Sequence, residues 1–400
     1  MRILLPLLLF SYCCLAVNHY TQKSAERLRD IQTTTRSSVG GRWGVRGGID
    51  YFHWAAHHHR ALKHRADFSL LIEFRVMVVC SVHARELVTT ELCADWIDYV
   101  LSEERVRLHN ITPWWRLPDV EWLIVPIANP RGSDIVRNAL KLHRTGEEIG
   151  SQDLRHRGNA NGVDLNRNWP NIDSLRMRNE RVQQAHLEEG AHSAAAAFYR
   201  EKQRIKQGAR RRENDPIEEN AGTHEFSEPE TRGLRELISR FQPHLLFDVH
   251  SGTTSILMPY DSSTSFAPTH EQLIKMTNWL TGKDVLQMPD SIRTGPGSRY
   301  LYASNGTMCD YAYEALSVPY PFTLEIYQDL RAAENSANSN VALFASFNPT
   351  KRKALEAVLE QWRRIPQALM NLNDAEQTYL ATQLSNVEEP LPLLVNLLQD

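Results

Sequence analysis

Apolar and polar positions along this chain fall into alternating blocks, short apolar runs separated by longer amphipathic stretches. Residues 75–80 (Arg-Val-Met-Val-Val-Cys) read as a buried strand. Residues 121–127 give a second strand, closed by Asn129-Pro130. Residues 245–249 and 322–326 give two more, short, apolar and bounded by turn residues. Helical periods lie between and after them: 86–101, then 227–238 with Ser227 as its N-cap, then a closing helix over 349–372. Strands alternating with helices predict an α/β fold. Two stretches break the rhythm. Residues 171–215 are charged and helical with little that could form a core, so they read as a surface insertion whose Arg210-Arg211-Arg212 is a solvated face. Residues 36–65 are rich in Gly, Arg and His, and His57-His58-His59 among them reads as part of a solvated loop.

Composition narrows the picture. At 400 residues, 42% hydrophobic and 23% charged, the chain is globular rather than disordered, collagenous or a disulfide scaffold. A net charge of -3 supplies no field that would draw nucleic acid or anionic lipid. The first residues carry Arg2 and then an apolar run to Val17, too short to span a bilayer and ending in the small residues Cys14 and Ala16. This predicts a secretory signal over 1–16 and a product that is secreted or held in the lumen of the secretory pathway. Beyond it no segment is apolar for long enough to span a membrane. Removing the signal leaves Cys80, Cys93 and Cys309, enough for one disulfide at most. Asn110-Ile111-Thr112 is a candidate glycosylation sequon.

Candidate chemistry gathers at predicted strand ends. In His83-Ala84-Arg85-Glu86, on the turn after the first strand, an imidazole and a carboxylate three residues apart can reach one zinc ion. Helical zinc-protease signatures are absent, so a third ligand must come from elsewhere. His250, in Asp248-Val249-His250-Ser251, ends the third strand, and ligands at strand carboxyl ends converge on the crevice where open α/β sheets bind substrates. Arg157 opens a segment dense in polar groups that runs to Asn168; in it Asn166 and Arg167 offer amide and guanidinium donors suited to a carboxylate. Glu325 sits inside an apolar strand, where a carboxylate is costly unless it is paired or functional, and a general base beside a metal is one such role.

Together these residues resemble the zinc metallocarboxypeptidases, the family of carboxypeptidases A and B and the regulatory carboxypeptidases E, N and M. The matching points occur in family order: His83 to Glu86, Asn129-Pro130, Arg157, Gly162 to Asn168, His250-Ser251, Pro259-Tyr260-Asp261, Tyr302, Gly306 to Asp310, and Thr323-Leu324-Glu325. The resemblance covers about residues 70–372 and implies one domain, a mixed central β-sheet flanked by helices with the active site at the strand carboxyl ends. It implies a segment 17–69, partly irregular, ahead of a catalytic domain over 70–372, and a tail over 373–400. It implies one Zn2+ held by His83, Glu86 and His250, with Glu325 as general base and Arg157 stabilising the oxyanion. Asn166 and Arg167 would then hold the substrate's terminal carboxylate, Arg85 would line the next subsite and Tyr302, or Tyr300 in an alternative register, would close over the bound residue. Asp164 would orient His83. Asp261 and Cys309 fall where the family sets specificity, and Asp261 points to basic, Arg or Lys, C-termini. The implied partners are peptide or protein C-termini, and the chain is expected to be a monomer.

Three departures from the family pattern stand out. Asn129-Pro130 is followed by Arg131-Gly132 rather than Asp-Gly, the interval before His250 is longer, and residues 36–65 lack the edge hairpin that the resemblance implies. Asn305-Gly306-Thr307 is a second sequon, but its place beside Tyr302 argues against a sugar there. A zinc-dependent deacylase of the same fold and a non-catalytic peptide-binding homologue are the alternative readings.

Overall fold

The computed structural model describes residues 24–35, 41–55, 74–109, 120–145, 153–172, 175, 220–283, 285–289, 292–334 and 339–371. The signal segment, the His57–His59 run, Asn110, most of the 171–215 insertion and the 373–400 tail lie outside them.

The strands are β1 (Gly41–Arg46), β2 (Ile49–Trp54), β3 (Phe74–Cys80), β4 (Val120–Val125), β5 (Leu245–His250), β6 (Thr254–Met258), β7 (Arg293–Pro296) and β8 (Tyr320–Ile326). They form one mixed sheet in the order β1-β2-β4-β3-β5-β8-β6-β7. The centre, β4-β3-β5-β8, is parallel, and its strands are buried on both faces, which is why they read as continuous apolar runs. The principal helices are α1 (Ser24–Thr35), α2 (Leu87–His109), α3 (Pro130–Thr145), α4 (Pro229–Phe241), α5 (His270–Thr281), α6 (Met308–Leu316), α7 (Ser339–Phe347) and α8 (Arg352–Met370).

Helices cover both faces of the sheet. On one face Phe74, Val76, Val78 and Phe247 meet Val88, Leu92 and Trp96 of α2, Leu273 and Leu280 of α5, and Trp362 and Ile365 of α8. On the other, Met77, Val79, Leu123 and Leu246 meet Leu234 and Ile238 of α4 and Met308 and Ala312 of α6. Buried Asp95 on α2 receives Nε of Arg363 at 2.7 Å and Nη2 of Arg27 at 3.3 Å, tying α8 and α1 to the helix that follows Glu86.

Three sequence expectations are corrected. The edge hairpin is present: β1 and β2 pair antiparallel from Gly41↔Trp54 to Arg46↔Ile49, and β2 joins the sheet through Phe52↔Ile124. Its turn is Gly47-Gly48, with φ of 57° and 77°, the two left-handed positions that a two-residue hairpin turn requires. Phe52 and Trp54 are buried in the core on one face of the sheet and Ile49 in the core on the other. The N-cap of α4 is Glu228, one residue after Ser227, whose hydroxyl donates to Glu228 Oε1 at 2.7 Å instead of capping the helix. Finally, the start of the 171–215 segment is not surface: Ile172 and Leu175 are buried, one in each main core cluster.

Candidate metal centre and substrate site

Three adjacent strands deliver the chemistry. β3 ends at Cys80 and releases the turn that carries His83 and Glu86; β5 ends on His250; β8 places Glu325 in register with His250. The turn is stitched in place by its neighbours. Ala84 N–H donates to Arg157 O at 2.9 Å, and Asn129 Nδ2 donates to both Val82 O and Gly158 O at 3.2 and 2.9 Å. Gly132 N–H returns a bond to Asn129 Oδ1 at 3.0 Å, so the departing motif keeps its structural half; Arg131 itself is exposed. Asn348, fully buried and far away in sequence, accepts from Val88 N–H at 2.9 Å and donates to Arg85 O at 2.8 Å, locking the far side of the turn.

His83, Glu86 and His250 are all buried, and one ligand atom from each lies within 4.8 Å of the others, a group that could hold a metal ion. His83 Nδ1 is 2.8 Å from Glu86 Oε1, and His250 Nδ1 is 3.1 Å from Glu86 Oε2 and 3.0 Å from His83 Nδ1. The outer nitrogens face carboxylates: His83 Nε2 lies 3.1 Å from Asp164 Oδ1 and His250 Nε2 lies 2.9 Å from Asp248 Oδ1. That arrangement fixes each ring with Nδ1 turned inward, the orientation that metal-binding histidines depend on. Burial alone would raise the Glu86 carboxyl, but the two imidazoles hold it well below its usual range. Burial alone would lower His250, but Asp248 and Glu86 hold it well above its own. Two imidazoles and a carboxylate, all buried and with both rings oriented by outer carboxylates, fit a divalent zinc ion.

Around this trio Asp164 bridges His83 and Arg157, whose Nε donates to Asp164 Oδ2 at 2.7 Å. Burial opposes the Asp164 charge, yet Arg157 and His83 hold its carboxyl well below the ordinary range. Arg157 in turn is held firmly cationic against its own burial by Asp164 and Glu86. Burial pushes Glu325 up to about 7, and its buried Oε2 has no hydrogen-bond partner among the described residues.

The predicted substrate residues separate into groups. Arg167 and Tyr302 meet at the surface: Nη2 donates to the Tyr302 hydroxyl at 3.2 Å, with the guanidinium 5.9 Å from the ring centre. Tyr302 is 53% exposed, and Tyr300 is also exposed, with its ring lying against Gly295. Asn166 is buried deeper. Its Nδ2 donates to Asp248 Oδ2 at 3.2 Å and its Oδ1 accepts from Met308 N–H at 2.9 Å, so it braces the His250 partner and the start of α6. Arg85 is buried beneath Phe347, 4.5 Å from the ring centre, and donates to Arg155 O at 3.3 Å. Asp261 is 9% exposed and turned inward, its Oδ1 so close to Gly297 that any side chain there would collide with it. Burial and then the neighbouring Asp310 push Asp261 up to about 8. Burial, Asp248 and Asp261 push the Cys309 thiol well up, so it stays neutral. Thr307 of the second sequon is buried and caps α6 by accepting from Asp310 N–H, while Asn305 is exposed.

Two orienting residues had no assigned role from sequence, Asp248 and Asn348. The spacing Asp248-Val249-His250 is a legible signal, because residues two apart on a strand share a face. Asn348 has none, since only the fold brings it to the turn.

The fold and the trio define an α/β protein with a buried site at the strand ends that could hold a metal ion. A sequence profile described as zinc carboxypeptidase matches residues 73–363, and the chain belongs to that family, whose metal is zinc. It is 25% identical to rat carboxypeptidase B2 over 260 residues, 63% of this chain and 50% of that protein. It is 23% identical to human carboxypeptidase O over 286 residues, 70% of this chain and 63% of that protein. The chain therefore spans about half to two thirds of the length of these relatives. Among solved structures, carboxypeptidase A from Helicoverpa armigera superposes with a TM-score of 0.54 at 18% identity, covering 90% of this chain and 72% of that one. Bovine thrombin-activatable fibrinolysis inhibitor, solved with a tick carboxypeptidase inhibitor, gives 0.53 at 19% identity over 86% and 96%. These structural likenesses carry the fold.

Proposed function

We propose that this chain is a zinc-dependent exopeptidase that removes the C-terminal residue of peptides or proteins, leaning to Arg and Lys. The observation that carries the reading is the registered pair His250↔Glu325. It sets a carboxylate with an unpartnered buried oxygen beside the metal trio, as a general base needs.

Zinc, when bound, lowers the pKa of water and polarises the scissile carbonyl. Glu325 takes the proton of the attacking water and delivers it to the leaving amine. Arg157, fixed by Asp164, stabilises the oxygen that becomes anionic. Arg167 receives the terminal carboxylate at the rim with Tyr302 over it, and Asn166 adds its amide. Reaching Arg85 as an inner subsite requires Phe347 to swing aside. Asp261 and Cys309 line the pocket for the terminal side chain.

Residues 70–372 act in this reading as one catalytic domain working as a monomer. The apolar segment 1–16 and the Cys80–Cys93 disulfide both support passage through an oxidising secretory compartment. No described helix is long and apolar enough to cross a membrane.

Mass spectrometry of a peptide library after digestion tests the whole reading. Loss of single C-terminal residues, abolished by a chelator, is the expected result. Hydrolysis confined to acylated amides favours the deacylase, and no turnover favours the binding homologue. The two arginines should separate kinetically. Arg157→Ala should lower kcat with KM little changed, the signature of an interaction made only in the transition state. Arg167→Ala should raise KM for free-acid peptides, and the wild type should cleave C-terminally amidated peptides poorly. Equal cleavage of acid and amide ends the carboxylate role of Arg167.

A further inference from the structure

The turn that carries two of the three metal ligands is closed by a covalent bond. Cys80, the last residue of β3, is joined to Cys93 on α2, 13 residues further on. His83 and Glu86 lie inside that loop, whereas His250 lies outside it. Both cysteines are fully buried. Within the loop the backbone is constrained: Ser81 has a φ of 57° although it carries a side chain. The Thr89 hydroxyl of α2 holds both ends of the turn, accepting from Ser81 N–H at 2.9 Å and donating to Glu86 O at 2.7 Å.

We infer that the Cys80–Cys93 cross-link is a positioning element of the metal site, holding the end of β3 against α2 so that His83 and Glu86 face one another before a cation binds. The inference rests on the trio being the zinc site. The physical reason is the order in which the chain leaves the sheet. His83 hangs from the strand side of the turn and Glu86 from the helix side, so any sliding of α2 along β3 changes the distance between the two ligand atoms. Hydrogen bonds from Thr89 and Asn348 resist that sliding but yield with the turn, whereas a disulfide across the base of the loop does not. A ligand pair fixed in advance binds its cation without the ordering cost that a loose loop incurs.

The test compares the wild type with a Cys80→Ala/Cys93→Ala variant of the full chain, measuring the zinc dissociation constant by competition with a chromophoric chelator. The Co2+-substituted electronic spectrum reports ligand geometry in the same samples, and far-UV circular dichroism verifies the fold. Losses from disturbing residues that orient metal ligands typically run to about 10–100-fold. Zinc binding should therefore weaken by about tenfold or more, with an altered Co2+ spectrum. If the variant melts earlier but keeps the wild-type zinc affinity and Co2+ spectrum, the cross-link serves stability alone and the inference is overturned. Should the variant fail to fold, partly reduced wild type supplies the comparison. Dithiothreitol takes the disulfide to two thiols and is itself oxidised to its cyclic disulfide; iodoacetamide then caps the thiols, and native mass spectrometry reads zinc on each species. Lower zinc occupancy on the doubly capped species than on disulfide-intact molecules supports the strut, and equal occupancy overturns it. Wild type that binds no zinc in either assay overturns the metal assignment itself, and the strut with it.

Discussion

His250→Ala should leave the purified protein with substoichiometric zinc, while Glu325→Gln should keep wild-type zinc and lose about 10²–10⁴-fold in turnover. The two residues are register partners on β5 and β8, so the pair of variants asks one place two different questions. His250 supplies Nδ1 to the trio with its ring fixed by Asp248. Alanine leaves His83 and Glu86 alone, two donors for a cation that takes three protein ligands and an open position in catalytic sites. Glu325 is not part of the trio, and glutamine preserves its shape while removing its ability to accept the proton. A stability control separates chemistry from damage. The carboxyl is raised to about 7 from an ordinary value of 4.5, so it binds protons more tightly folded than unfolded. Its contribution to stability therefore falls as pH rises from about 4.5 to 7 and stays lost above that. Glutamine removes this penalty, so metal-free Glu325→Gln should melt no lower than the wild type at pH 8. Near wild-type turnover in Glu325→Gln would sink the general-base role, whatever the zinc content.

What the sequence disclosed follows from how locally each feature is encoded. The parallel strands were legible because burial on both faces makes residues 75–80, 245–249 and 322–326 almost uniformly apolar. The metal trio was legible because His83, Glu86 and His250 sit just past or at the ends of those same strands, as did Asp164 through its place in the polar segment after Arg157. The hairpin was misread although Gly47-Gly48 between Val45 and Phe52 is a hairpin signal; flanking Arg and His residues masked an alternation whose buried apolar residues are Phe52 and Trp54 on one face and Ile49 on the other. Ser227 misled because an N-cap preference names residue types, while the actual cap is set by where Pro229 begins the helix. Asn348 and the Cys80–Cys93 pairing were beyond reach for a different reason. Both depend on how α2 lies against the sheet and on which distant loop lands beside Arg85, and no local pattern encodes that. Asn166 was expected to serve the substrate's carboxylate, whereas in the structure its buried amide braces Asp248 and α6.

Matched peptides ending in Arg or Lys should be cleaved with higher kcat/KM than those ending in Leu or Phe, and Asp261→Ala should erase most of that advantage. Asp261 lies within a turn at Pro259-Tyr260-Asp261, and such a turn could have aimed it at solvent. Instead it is buried against Gly297, and its neighbours include Asp310, Thr307 and Arg167. Asp310 is spoken for: its two oxygens accept Asp261 N–H, Ser262 N–H and the Ser262 hydroxyl at 2.8, 2.9 and 2.8 Å. Asp261, which accepts a hydrogen bond from Thr307, carries no such set of backbone donors and is the carboxylate expected to meet a basic substrate. A charge-assisted hydrogen bond is worth about 1.5–3 kcal/mol, so selectivity for a basic residue should fall by roughly 10–100-fold in the variant. The pH dependence has a definite sign. With its carboxyl raised to about 8, Asp261 is mostly neutral below that pH and charged above it. Arg stays protonated throughout, so the ratio of kcat/KM for Arg-ending over Leu-ending peptides should climb as pH rises through about 8. A bound guanidinium, favouring the ionised form, extends that climb to lower pH. Titration of Glu325 is common to both substrates and cancels in the ratio. In Asp261→Ala the ratio should be low and flat over the same range. A wild type that prefers Leu or Phe, or a variant whose ranking is untouched, would leave the pocket defined by the neutral Cys309 thiol and its apolar neighbours.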